Sequence, residues 1–171
     1  MTARGIPQIL YGSEIGMIGG QSHVELRADF PGGFPGHKQN AFSSDGRNAK
    51  QNEMFNFFRR LFHLRKEHPA LQGGKMIHYA PSWSDDTYKF LKIHDKEKIL
   101  VVANGNNKTA SVDLTELNHQ LKSTTSFTNL NSKQRTRWSE GTKIKVPAMT
   151  AQLFLLNEGN DQQAKPSNKV D

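Results

Sequence analysis

Glu14, Glu25, Asp29 and Asp45 are the carboxylates of one long loop, and His23 and His37 lie among them. Two carboxyl groups with separated pKa values can divide general acid and general base work. A histidine near them could act as base or metal ligand. That chemistry needs side chains held rigidly by packed neighbours. A loop rich in glycine does not supply this, so no catalytic residue is expected in this chain. The chain has no cysteine, which removes thiolate catalysis, disulfides and cysteine metal sites. No two histidines stand four residues apart. Neither a metal nor a cofactor is expected.

The elements around that loop read as follows. Ile6–Tyr11 is a short, nearly continuous apolar run between Gly5 and Gly12, the pattern of a strand buried on both faces. Residues 12–48 form a loop carrying Pro31-Gly32-Gly33-Phe34-Pro35-Gly36. Loops this long inside compact domains are often functional. Asn48–His68 is expected to be a helix. Asn48 and Gln51 make a capping box, and Met54, Phe55, Phe58, Leu61, Phe62 and Arg65 follow helical spacing. Pro69 ends it.

From Lys75 the period changes. Strands are expected at Lys75–Tyr79, Thr87–His94, Ile99–Asn104, Thr109–Leu114, Thr124–Leu130, Thr142–Val146 and Ala151–Leu156, with a short helical interruption between Leu114 and Leu121. Short strands at regular spacing with turn residues between them predict an antiparallel sandwich. Asn157–Asp171 is polar and without apolar periodicity, which predicts a disordered tail.

Three stretches resemble the α-amylase superfamily, in particular cyclomaltodextrinases and neopullulanase-like enzymes. Arg4-Gly5-Ile6-Pro7-Gln8-Ile9-Leu10-Tyr11-Gly12-Ser13-Glu14 resembles the block on the eighth strand of that family's barrel. Arg27 through Asp29, Phe30, Pro31, Gly32 and Gly33 is similar to the loop that follows it. Leu64-Arg65-Lys66-Glu67-His68-Pro69-Ala70-Leu71 resembles the end of the last barrel helix, and Val146-Pro147-Ala148 with Phe154-Leu155-Leu156 fits the closing strands of the C-terminal sandwich.

The resemblance implies a mainly β fold: a C-terminal antiparallel Greek-key β-sandwich preceded by the last β/α unit of a truncated (β/α)8 barrel. It divides the chain into a barrel remnant at 1–72, a sandwich at 73–157 and a tail at 158–171. It implies an enzyme that hydrolyses α-glucans or cyclodextrins through carboxylates upstream of the eighth strand, so that this chain alone is inactive. A free-standing α-glucan-binding sandwich is the alternative. Glu14, Arg27, Asp29 and Phe30 would rim the sugar-binding cleft. Glu14 could instead pin the loop, and Arg27 and Asp29 could pair with each other. Trp83, Trp138, Tyr79 and Tyr88 are candidates for a sugar-stacking platform.

The remaining properties bound the partners. Lys and Arg number 23 against 16 Asp and Glu, a net charge of +7. The basic residues are scattered, without the interleaved aromatics of a single-strand groove, so no nucleic-acid partner is expected. No apolar run approaches the ~20 residues that span a membrane, and no membrane partner is expected. Met1–Pro7 has no signal-like apolar stretch. Localisation stays open, because the signal of a longer parent would lie upstream. The aromatic face of the helix, if left uncovered, would favour self-association.

Overall fold

The computed structural model describes residues 1–81, 86–95 and 97–159. The chain forms two compact units that divide between Glu67 and His68.

In the first unit, helix α1 (Ala49–Glu67) starts where Asn48 and Gln51 bond reciprocally. The Asn48 amide donates to Gln51 Oε1 and the Gln51 amide donates to Asn48 Oδ1, both at 2.9 Å. Two orphan donors of the first turn are satisfied in this way. Of the expected apolar stripe, Phe55, Phe58 and Leu61 are half-buried, whereas Met54 and Phe62 are exposed, as is the neighbouring Phe57. Arg65 donates to the Met1 carbonyl at 2.8 Å.

Ile6–Tyr11 does not form the expected strand. The segment is irregular, with Ile6 94% and Leu10 66% exposed. An isolated strand leaves its own amides and carbonyls without ladder partners, and among the described residues no strand runs beside it.

The second unit is antiparallel throughout. Helix α2 (Pro69–Gly73) precedes β1 (Lys75–Tyr79), β2 (Thr87–His94), β3 (Glu97–Asn104) and β4 (Ala110–Asp113). A 3-10 turn (Thr115–Leu117) and α3 (Asn118–Leu121) lead to β5 (Thr124–Asn129), β6 (Arg135–Arg137), β7 (Lys143–Val146) and β8 (Thr150–Glu158). One sheet has the order β1-β2-β3-β8-β5-β6, and the other pairs β4 with β7. β3 pairs with β8 and β4 with β7, so the long-range pairs are nested, as a Greek-key sandwich requires. The strand β6 was not expected, and β8 runs two residues beyond the predicted Leu156. Residues 160–171 of the expected tail, and Trp83, lie outside the described residues.

The core lies between the sheets. Leu91, Leu100, Val102, Phe127, Phe154 and Leu156 of the large sheet meet Val112, Ile144 and Val146 of the small one, and Leu117 and Leu121 close the space. On its other face the large sheet buries Met76, Phe90, Ile99, Val101 and Leu153. α2 lies against β2 and β3 with Ala70 and Leu71 buried. Glu97 fixes the start of α2: its Oε2 accepts the Ala70 amide at 2.7 Å, and its Oε1 lies 2.6 Å from His68 Nδ1.

Asn104, at the end of β3, is buried. Its Nδ2 stands 2.9 Å from the Lys108 carbonyl and 3.0 Å from the carbonyls of Val146 and Pro147. Its Oδ1 accepts the Asn106 amide at 2.9 Å. One side chain therefore ties the β3–β4 turn to the β7–β8 connection. Asn104→Leu is expected to lower stability by about 2–3 kcal/mol, since buried carbonyls lose their donor. Phe127→Ala is expected to cost about 3–5 kcal/mol by opening a cavity between the sheets. Urea titration followed by circular dichroism reads both, and losses below about 0.5 kcal/mol would contradict these roles.

Candidate functional site

The first unit holds the residues that the sequence points to. Gly12 turns the chain with φ +83°, and its carbonyl accepts the amides of Met17 at 2.8 Å and Ile15 at 3.2 Å. A Cβ at Gly12 would fall 2.4 Å from Met17 Sδ, so both the backbone angle and the close approach require glycine. This turn sets a 3-10 turn (Ser13–Ile15) against α1, with Ile15 buried and Glu14 half-buried.

A second 3-10 turn (Glu25–Arg27) is closed by its own capping box. Ser22 donates through its amide at 3.0 Å and its hydroxyl at 2.9 Å to Glu25 Oε2, and the Glu25 amide returns a bond to Ser22 Oγ at 3.2 Å. The Tyr11 hydroxyl donates to the Ala28 carbonyl at 3.0 Å. Between these turns lies a cleft of about 90 Å³, with Tyr11, Met17, Glu25 and Leu26 among its walls. That is well below the roughly 300 Å³ at which ligand pockets begin.

Arg27 and Asp29 are exposed and form no ion pair with each other. Phe30 is half-buried against Phe42, with ring centroids 4.5 Å apart. The loop beyond it is stapled to α1 by Arg47. That side chain donates to the Ala41 carbonyl at 3.0 Å and to Asn52 Oδ1 at 2.9 Å, and it stacks 3.9 Å over the Phe55 ring. Asn52 Nδ2 donates to the Ser44 carbonyl at 2.8 Å. His37 Nδ1 accepts the Gly32 amide at 3.0 Å, so His37 shapes the loop. Arg47 and Asn52 carry no periodic signal, and sequence reasoning did not single them out.

Two of the loop carboxylates, Glu25 and Asp45, have the wrong electrostatics for an acid. A general acid needs burial that raises its pKa. Glu25 is fully exposed, and hydrogen bonds from the Ser22 amide and hydroxyl hold its carboxyl below the ordinary value. Asp45 is also fully exposed and is lowered by Ser43 and neighbouring backbone amides.

Among the described residues the stacking platform does not assemble. Tyr79 and Trp138 pack against the intersheet core, Trp138 edge-on to Phe127 at 5.2 Å. Tyr88 instead meets His78 and Phe90 on the other face of the large sheet. Adjacent positions on a strand point to opposite faces, and Tyr79 pairs across from Lys89, the neighbour of Tyr88.

A larger cleft opens in the sandwich, where β5 and β6 diverge from β7. Its volume is about 470 Å³. Asn129, Asn131, Ser132, Gln134, Thr136 and Gln152 give it polar walls. Lys143, Ile144 and Lys145 form one side, and Phe127 and Phe154 lie beneath. These residues come from separate strands and one turn, so no spacing in the sequence announces them. Glu14, Arg27, Asp29 and Phe30 line neither cleft.

Residues 76–154 match the family model described as the cyclo-malto-dextrinase C-terminal domain. The structure is similar to the crystal structure of an α-amylase from Geobacillus thermoleovorans complexed with acarbose (TM-score 0.70, 24% identity), over 93% of this chain and 31% of that one. An Anoxybacillus α-amylase is similar at TM-score 0.67 and 21% identity, over 93% of this chain and 30% of that one. AmyP in complex with maltotriose matches at TM-score 0.58 and 19% identity, over 66% of this chain and 22% of AmyP. The chain thus spans less than a third of each of these proteins. Its β-rich part is similar to the cyclo-malto-dextrinase C-terminal domain, and these solved structures share its fold.

Two outcomes follow for the first unit. Arg47→Ala is expected to raise hydrogen exchange in residues 40–47 by roughly tenfold and leave β2, β3 and β8 unchanged, since only the local staple is lost. Equal acceleration everywhere would contradict a local role. The Glu25 carboxyl is lowered when folded, so the Ser22–Glu25 box is fully formed above the ordinary glutamate pKa and is lost as pH falls through the lowered value. Carboxyl carbon NMR should place the Glu25 midpoint below that of free glutamate, and a midpoint at or above it would overturn the assignment.

Proposed function

We propose that this chain acts as the C-terminal part of an enzyme that hydrolyses α-glucans or cyclodextrins, as cyclomaltodextrinases and neopullulanases do. The observation that carries the reading is the match of residues 76–154 to the cyclo-malto-dextrinase C-terminal domain. The maltotriose and acarbose in the similar amylase structures agree with it. In this reading the sandwich covers and steadies a catalytic barrel. Residues 1–72 supply the last barrel segment, the loop over 12–48 and helix α1, and the loop rims the substrate cleft. Phe30 offers an apolar face to a sugar ring, and the side chains of Arg27 and Asp29, which have no ion pair or hydrogen bond among the described residues, bond to hydroxyls. Glu14 supports the loop at the mouth of the barrel.

The chain by itself does no hydrolysis. Retaining glycosidases need two carboxyl groups roughly 5–5.5 Å apart, one of them raised in pKa. The lowered Glu25 and Asp45 do not fit that role. The Phe57 and Phe62 face of α1 is then the surface through which the isolated chain self-associates. A free-standing glucan-binding sandwich is the second reading, favoured by the open cleft beside β7.

Purified chain is expected to give no turnover of maltooligosaccharides or cyclodextrins by reducing-sugar assay. Activity that follows the chain through successive columns would overturn the reading. Sequencing upstream of the Met1 codon is expected to show an in-phase frame encoding the earlier βα units with an Asp, Glu, Asp set. In the enzyme so encoded, Phe30→Ala is expected to raise KM about tenfold, from the loss of roughly 1.4 kcal/mol of stacking. An unchanged KM would remove Phe30 from the site.

A further inference from the structure

We infer that the cleft between β5–β6 and β7 is a binding site for a neutral oligosaccharide on the sandwich itself. The site shares no lining residue with the loop over 12–48 and takes no part in bond cleavage. Choosing an α-glucan as its ligand rests on the function proposed above, but the site does not.

Four observations carry the inference. The volume, about 470 Å³, falls within the range of small-molecule sites. The walls are amides and hydroxyls with no carboxylate among them. Planar amides present a donor and an acceptor side by side, which suits vicinal sugar hydroxyls that both give and take hydrogen bonds. Those groups are also unused: the side chains of Asn131, Gln134, Thr136 and Gln152 bond to no protein atom among the described residues. Finally, the wall is built in advance.

The preorganisation is specific. Asn129 Oδ1 accepts the amides of Asn131 at 2.9 Å and Ser132 at 3.1 Å. The Asn129 amide donates to the Gln134 carbonyl at 2.8 Å, and Lys133, with φ +61°, completes the turn. Arg135 Nε holds β6 to β5 through Ser126 Oγ at 2.7 Å. Phe127, which forms part of the floor, is braced by Trp138 and Phe154. A fixed turn loses little conformational entropy on binding.

Lys143 and Lys145 raise the question of an anion instead. Lys143 stands 3.9 Å from Asp113 Oδ2, so its charge is partly answered outside the cleft. Six neutral polar side chains against two lysines favour a neutral ligand.

The test is an amide NMR titration of the whole chain with maltoheptaose, cellohexaose and inorganic phosphate, each to about 20 mM, where sites of about 1 mM Kd saturate. Maltoheptaose is expected to shift residues 129–136, 143–145 and 152. Gln134→Ala with Gln152→Ala is expected to weaken that binding at least tenfold while the melting temperature stays within about 2 °C, because neither side chain holds the fold. Shifts from cellohexaose alone keep the oligosaccharide site and count against the α-glucan function. Shifts from phosphate alone, centred on Lys143 and Lys145, overturn the inference in favour of an anion site. No shift from either sugar, or shifts confined to the loop over 12–48, also overturn it, and the latter result leaves the proposed function standing.

Discussion

The sandwich depends on one buried amide. Asn104 reaches from the end of β3 to the carbonyls of Lys108, Val146 and Pro147. It thereby fastens the large sheet to the small one at the point where the chain crosses between them. No disulfide joins the sheets, since the chain has no cysteine. The nested pairing of β3 with β8 and β4 with β7 brings together segments 46 to 56 and 30 to 36 residues apart in the strand register. Each such closure costs chain entropy. A directional contact that no other register satisfies is how a sequence makes one arrangement preferable. The apolar side chains between the sheets then supply most of the free energy without choosing the partners.

The strands of the second unit were legible because the period-two alternation there has a physical cause, one sheet face turned to a common core. Lys75–Tyr79 and Thr87–His94 fall where the alternation places them. β6 was illegible, because Arg135, Thr136 and Arg137 form an exposed edge with no apolar member. Ile6–Tyr11 misled for the opposite reason. Its apolar content is that of a buried strand, but a strand is a property of a pair of segments, and among the described residues no partner stands beside it. Helix α1 was legible in its cap, which is local chemistry, and less so in its burial, which depends on what packs against it.

The site residues divide in the same way. Glu14, Arg27, Asp29 and Phe30 were reached through resemblance, and the structure places them on two 3-10 turns and the segment that follows. What holds that region is a set of polar contacts, Ser22 with Glu25, Tyr11 with Ala28 and Arg47 with Asn52. None of these has a period. The cleft in the sandwich is further still from the sequence, because its walls come from strands that become neighbours only after β8 inserts between β3 and β5.

The large sheet ends at β6, a strand of three residues. A free edge is a template on which another copy of the same strand can form a ladder. An antiparallel copy laid on β6 would set arginine against arginine on both flanks of Thr136. Like charges directly opposite each other repel, and three residues offer few ladder bonds in return. The same short cationic strand that borders an open cleft thus keeps the sheet finite, so that a β-rich domain left in solution at high concentration is protected on that side from growing into fibrils.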